Sequence, residues 1–109
     1  MSALEAAERL LAKLSRAEKA QVLQWAARDL GDAFPGIESR PGVFGGEPCV
    51  VRTRIPAWLL EQARRLGTSE AELLRIYPTL RAEDLANTWA YVRSHCDEIS
   101  RQIEANEAD

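Results

Sequence analysis

The chain has 109 residues, 46% of them hydrophobic, which suits one domain that buries roughly 60–70% of its unfolded surface. Fourteen Lys and Arg against seventeen Asp and Glu give a net charge of −3, which excludes a strongly basic nucleic-acid binder and is too mild for a disordered polyanion. No apolar run approaches the roughly 20 residues of a membrane span, and the start lacks the basic and apolar segments of a secretory leader, so neither membrane nor export is expected.

Ala3 to Leu14 reads as an amphipathic helix carrying Leu4, Leu10, Leu11 and Leu14. Ser15-Arg16-Ala17-Glu18 is a capping box and opens a second helix to about Leu30, with Val22, Leu23, Ala26, Ala27 and Leu30 on one face and Gly31 as its stop. Trp25 lies off that stripe. From Asp32 to Pro48 the pairs Pro35-Gly36, Pro41-Gly42 and Gly45-Gly46 break any helix and predict a connector, with a turn between two extended pieces. The second piece, Cys49 to Ile55, alternates Cys49, Val51, Thr53 and Ile55 with Val50, Arg52 and Arg54. It predicts a strand with one apolar face and two arginines on the other. Such a strand must pair with a second chain or pack on the helices.

Pro56 suits the first turn of a third helix, which runs to Leu66 and ends at Gly67. Ser69 to Glu72 forms another capping box, and a short fourth helix with Leu73, Ile76 and Tyr77 stops before Pro78. A fifth helix starts near Ala82, with Leu85, Trp89 and Val92 at helical spacing and Glu83 and Asp84 in its first turn. A last helix from about Asp97 carries Ile99 and Ile103, and Glu104 to Asp109 is expected to fray.

Leu59 to Pro78 has a helix-turn-helix register: Ala63 permits close approach, Gly67 turns the chain, Ser69 caps, and Leu66, Leu73 and Ile76 fall at buried positions. DNA reading by its second helix would use Ser69 and Arg75, but Glu70 and Glu72 repel phosphate; the alternative is a purely structural three-helix unit. Charge is uneven, at zero over residues 1–36, +2 over 37–81 and −5 over 82–109. Arg52 and Arg54 read either as solvated edge charges or as a contact to phosphate or acidic side chains. Ile99 and Ile103 read as a stripe that covers this chain's own core, a second copy or another protein. The aromatics Trp25, Trp58, Trp89, Tyr77 and Tyr91 read chiefly as core. Catalytic signals are sparse. His95 is the single histidine, Cys49 and Cys96 have no metal spacing, and no phosphate or dinucleotide loop is present. No enzyme activity, cofactor, metal or small-molecule substrate is expected, and the cysteine usage suits the reducing cytoplasm.

The stretch Pro41-Gly42-Val43-Phe44-Gly45-Gly46-Glu47-Pro48-Cys49-Val50-Val51-Arg52-Thr53-Arg54-Ile55-Pro56, with Leu66 to Leu80 and Glu83-Asp84-Leu85, resembles the domain-of-unknown-function family 433. The resemblance covers residues 37 to 95. It implies a helix-turn-helix-like three-helix fold and an antitoxin of a type II toxin–antitoxin pair beside a PIN-like ribonuclease toxin. The helices before residue 37 look like an extension carried by one subset of the family. Two positions depart from the pattern. Phe44 stands where members usually have cysteine, and Arg52-Thr53-Arg54 where they usually have Gly-Thr-Arg. The lost glycine suggests an ordinary extended conformation at Arg52, or a changed turn, whereas Arg54 matches the motif.

The expected architecture is mainly α: a helical extension over 1–36, a three-helix domain with a short β element over 37–95, and a tail helix over 96–109. A homodimer is expected, because two-fold pairing would supply the strand with an edge partner. The expected function is neutralisation of the ribonuclease, with Arg54 first and Arg52 or Arg101 behind it entering the carboxylate site, Ile99 and Ile103 anchoring the tail, and the complex binding its operator DNA. The alternative is a stand-alone DNA-binding regulator.

Overall fold

The computed structural model describes residues 2–30, 33–40, 42 and 44–107. The chain is mainly helical with one small sheet, and it divides into two compact units, Met1–Ala33 and Phe34–Asp109.

The first unit holds α1 (Ala3–Leu11) and α2 (Arg16–Arg28). Both start on reciprocal serine–glutamate boxes. The Ser2 hydroxyl accepts from the Glu5 amide at 3.1 Å, and Ser15 from Glu18 at the same distance, while each glutamate accepts from the serine amide. α1 stops short of the expected Leu14, since Lys13 and Leu14 donate to the carbonyls three residues back and tighten the chain out of the helix. Gly31, the expected stop of α2, lies outside the described residues; Asp29 is its C-cap. No residue of either helix is buried. Trp25 is exposed, which corrects its assignment to a core.

The second unit opens with a two-stranded antiparallel sheet, β1 (Ile37–Glu38) and β2 (Cys49–Val50), in which Ile37 faces Val50 and Glu38 faces Cys49. A 3-10 turn, Phe44–Gly46, lies between them. β2 is much shorter than the expected strand to Ile55. The chain reverses after Val50, whose amide donates to the Ile55 carbonyl at 3.0 Å, and Cys49 bridges to Pro56. Strand alternation therefore fails here, and Cys49 and Val50 are both buried. β2 finds its partner within the chain, and so does not need the second copy that was expected to supply it with an edge partner. Gly36 precedes the sheet at a positive φ of 76°, and its carbonyl accepts from the Val51 amide. A side chain there would strike Asn87, with the Asn87 Cβ only 3.1 Å from an added carbon.

Four helices follow: α3 (Ala57–Arg65), α4 (Glu70–Ile76), α5 (Ala82–Ser94) and α6 (Cys96–Glu107). α3 packs on α5 and α6, and α4 and β1 lie against α5. Their shared core comprises Val50, Leu60, Leu73, Leu85, Val92, Ile99 and Ile103, with Thr88 buried among them by donating its hydroxyl to the Asp84 carbonyl. α3 ends in a Schellman motif. Gly67, at φ 98°, donates to Arg64, and Thr68 donates to Ala63. Two expected core positions of the helix-turn-helix register are corrected. Leu66 is 79% exposed, since it follows Leu60 by six residues and so lies roughly 120° round the helix from it. Ile76 ends a two-turn helix and is half exposed, while Leu80, after the helix has ended, is buried.

Candidate partner-binding surface

The reversal between Val50 and Ile55 builds a four-residue loop, Val51 to Arg54, fastened at every turn. The Thr53 hydroxyl donates to the Val50 carbonyl at 2.8 Å and accepts from the Ile55 amide at 3.1 Å. The Ala57 amide donates to Pro48 at 2.9 Å, tying the base of the loop to the start of α3. The Trp58 indole N–H donates to the Glu47 carboxylate beside it. From this loop Arg54 projects into solvent, and it makes no hydrogen bond or ion pair among the described residues. A free guanidinium on a braced loop keeps its planar donor fork for another molecule, and little loop entropy is lost when it binds.

Arg52 has a different task. Its guanidinium donates to Asp84 at 2.6 Å, and the two side chains are 10% and 4% exposed. The same carboxylate oxygen accepts from the Arg81 amide at 2.8 Å at the start of α5. The pair thus locks the loop to the first turn of α5 and leaves Arg52 turned inward.

α4 carries the two residues considered for DNA. The Ser69 hydroxyl accepts from the Glu72 amide at 3.2 Å, which is half of the expected capping box. Glu72 pairs instead with Arg75 at 2.8 Å, and Glu70 accepts from the Trp89 indole at 2.8 Å. Arg64 lies over the Trp89 ring at 4.6 Å. Arg64 and Arg65 both clasp the buried carboxylate of Glu61, at 2.6 and 2.8 Å. The exposed surface of α4 therefore offers phosphate a neutralised arginine among carboxylates.

Residues 37–92 match the family described as a protein of unknown function, DUF433. The chain belongs to DUF433. It is also similar to the solved structure of a DUF433 member from Anabaena variabilis ATCC 29413, with 34% identity, 95% of this chain and 99% of that chain covered, and a TM-score of 0.64. No curated protein matches it.

Against the DUF433 pattern, the departure at Arg52 is in the side chain and not in the backbone. Of the two expectations, an extended backbone or a changed turn, the extended one fails: Arg52 has φ 67°, and it alone among the described non-glycine residues is left-handed. The backbone keeps the conformation that glycine adopts freely, and the side chain compensates through Asp84. Ile99 and Ile103 are 0% and 4% exposed and pack in the core with α3, so they are not available as anchors on a toxin. Arg101, one turn along α6, is exposed and unpaired among the described residues. His95 stacks on Tyr91 at 4.0 Å, with Phe34 edge-on to both, and Cys96 is exposed. Among the described residues no group of three His, Cys, Asp or Glu side chains could hold a metal. No described helix is long and apolar enough to cross a membrane.

The sequence reading missed Asp84 as a clasp and Glu61 as the hub for two arginines. Glu61 was findable, because Arg64 and Arg65 follow at i+3 and i+4. Asp84 was visible only as a first-turn acid, and nothing in the sequence marks its partner thirty-two residues earlier.

Proposed function

We propose that this DUF433 protein is a non-catalytic antitoxin that binds and neutralises a PIN-like ribonuclease in the cytoplasm. The observation that carries the reading is Arg54, a motif arginine without a partner among the described residues at the end of a hydrogen-bonded loop. A metal-dependent nuclease site is a cluster of carboxylates around divalent cations. An inserted guanidinium pairs with such carboxylates in bidentate fashion, displaces the metal and occupies the place of substrate phosphate. Arg101, without a partner among the described residues, supplies a second cation. The antitoxin is a homodimer in this reading, and the toxin brings the positive charge that lets the dimeric complex bind its operator DNA. A stand-alone DNA-binding regulator is the weaker reading, because Arg75 is held by Glu72.

Co-expression with the product of the adjacent gene tests the proposal. A complex on a sizing column and rescue of growth are expected, and Arg54→Glu should abolish both while leaving the thermal transition within about 0.5 kcal/mol of the parent, as for other surface changes. Absence of a complex and of rescue overturns the antitoxin reading. Full neutralisation by Arg54→Glu overturns the role of Arg54.

A further inference from the structure

We propose that Asp84 is a positioning residue for Arg54: its grip on Arg52 fixes the left-handed turn from which Arg54 is presented to a partner's carboxylates. This rests on the reading of Arg54 as the partner-binding arginine, and adds the device that aims it. Val51 to Arg54 are braced from within their own segment by the two hydrogen bonds of the Thr53 hydroxyl, by the Val50 amide on the Ile55 carbonyl, and by the Val51 amide on the Gly36 carbonyl at 3.0 Å. Among the described residues, the Arg52–Asp84 contact at 2.6 Å is the one hydrogen bond or ion pair that ties these four residues to a helix.

Arg52 stands two residues before Arg54, and its φ of 67° sets the course of the chain between them. Glycine adopts that conformation freely, whereas a residue with a Cβ is disfavoured there by roughly 5- to 30-fold in population unless something holds it. Asp84 is what holds it. Its side chain is 4% exposed and is itself fixed, because the oxygen that meets Arg52 also accepts from the Arg81 amide at 2.8 Å in the first turn of α5. Parting the pair would strand two desolvated charges, so the grip resists release. One arginine of the loop anchors it, and the other stays exposed for binding. A partner engages only loops in the presented conformation, so losing the grip weakens the apparent affinity by the fraction of loops that leave it.

The test compares two double variants of the full chain, Asp84→Asn with Arg52→Gly and Asp84→Asn with Arg52→Ala. Asp84→Asn alone would strand a buried guanidinium, whereas both double variants remove the pair entirely, and the asparagine oxygen still accepts from the Arg81 amide. They differ only in whether residue 52 resists φ 67°. In the chain alone, the amide resonances of Arg54 and Ile55 are expected at the parent positions in the glycine variant, and displaced or broadened in the alanine variant. Toward the product of the adjacent gene, the glycine variant is expected to bind within about twofold of the parent, and the alanine variant roughly 5- to 30-fold more weakly. Helical circular dichroism confirms that both are folded at the temperature of measurement. An ion pair that served stability alone would lower the melting temperature of both variants and leave folded chains of the two with the same affinity. Equal resonances in the two variants, or equal affinities where the parent binds, overturn the proposal. If the parent does not bind the adjacent product, the antitoxin reading falls, and the resonances by themselves decide whether Asp84 fixes the turn.

Discussion

Arg52 shows how one side chain can decide a backbone. A left-handed residue with a Cβ is disfavoured by about 1–2 kcal/mol, while removing the partner of a buried charge destabilises by about 3–5 kcal/mol. The ion pair with Asp84 therefore outweighs the strain at φ 67°. Arg52→Gly should relieve the first and forfeit the second, for a net loss of about 2–3 kcal/mol in urea unfolding. Arg52→Ala should lose about 1–2 kcal/mol more, because alanine retains the strain. Equal stabilities for the two variants would contradict this account. A second residue sets a pH limit. Burial, then the charge and the hydrogen bond of Glu98, push the Tyr91 hydroxyl up from 10.0 to about 12. A raised acid favours the folded state while protonated, so its contribution is complete below pH 10 and is lost as the pH climbs toward 12. Urea midpoints should fall across that window, and Tyr91→Phe should flatten the fall.

Among the elements, α6 is the one whose stripe was ambiguous in the sequence and is unambiguous in the fold. Ile99 and Ile103 lie in the core beside α3, so Ile99→Ala and Ile103→Ala should each destabilise the second unit by about 2–5 kcal/mol. A loss of partner binding without loss of stability would contradict that assignment. The helices themselves were legible, because their signals are local: the Ser15 box, Gly67 after Leu66, and the acids that open α5. The strand was not, because the alternation from Cys49 to Ile55 cannot reveal a reversal fixed by one left-handed residue and one threonine hydroxyl. The register of α3 and α4 failed for a similar reason. A stripe names the apolar residues, but where the helices end Leu66 and Ile76 turn out to solvent, and Leu80 is buried.

At the scale of the whole molecule, the family and the mainly helical architecture were legible because the glycine-rich motif and the helix caps are contiguous in the chain. The free loop arginine was legible as a residue type, whereas its contrast with Arg52 depends on Asp84, far away in sequence. That α1 and α2 bury no residue was not legible at all, since an amphipathic stripe does not say what it meets. With no residue buried there, amides of α1 and α2 in dilute, monomeric solution should exchange with deuterium far faster than those of α3, α5 and α6. Comparable protection would mean that the first unit has a core of its own. The three indoles then give the molecule an optical asymmetry. Trp58 and Trp89 each hold a carboxylate, and Trp25 stands in water on the one unit without a core. Its emission should be the reddest of the three and the most open to a diffusing quencher. Anything that settles on α2 will announce itself by a blue shift, with no dye attached.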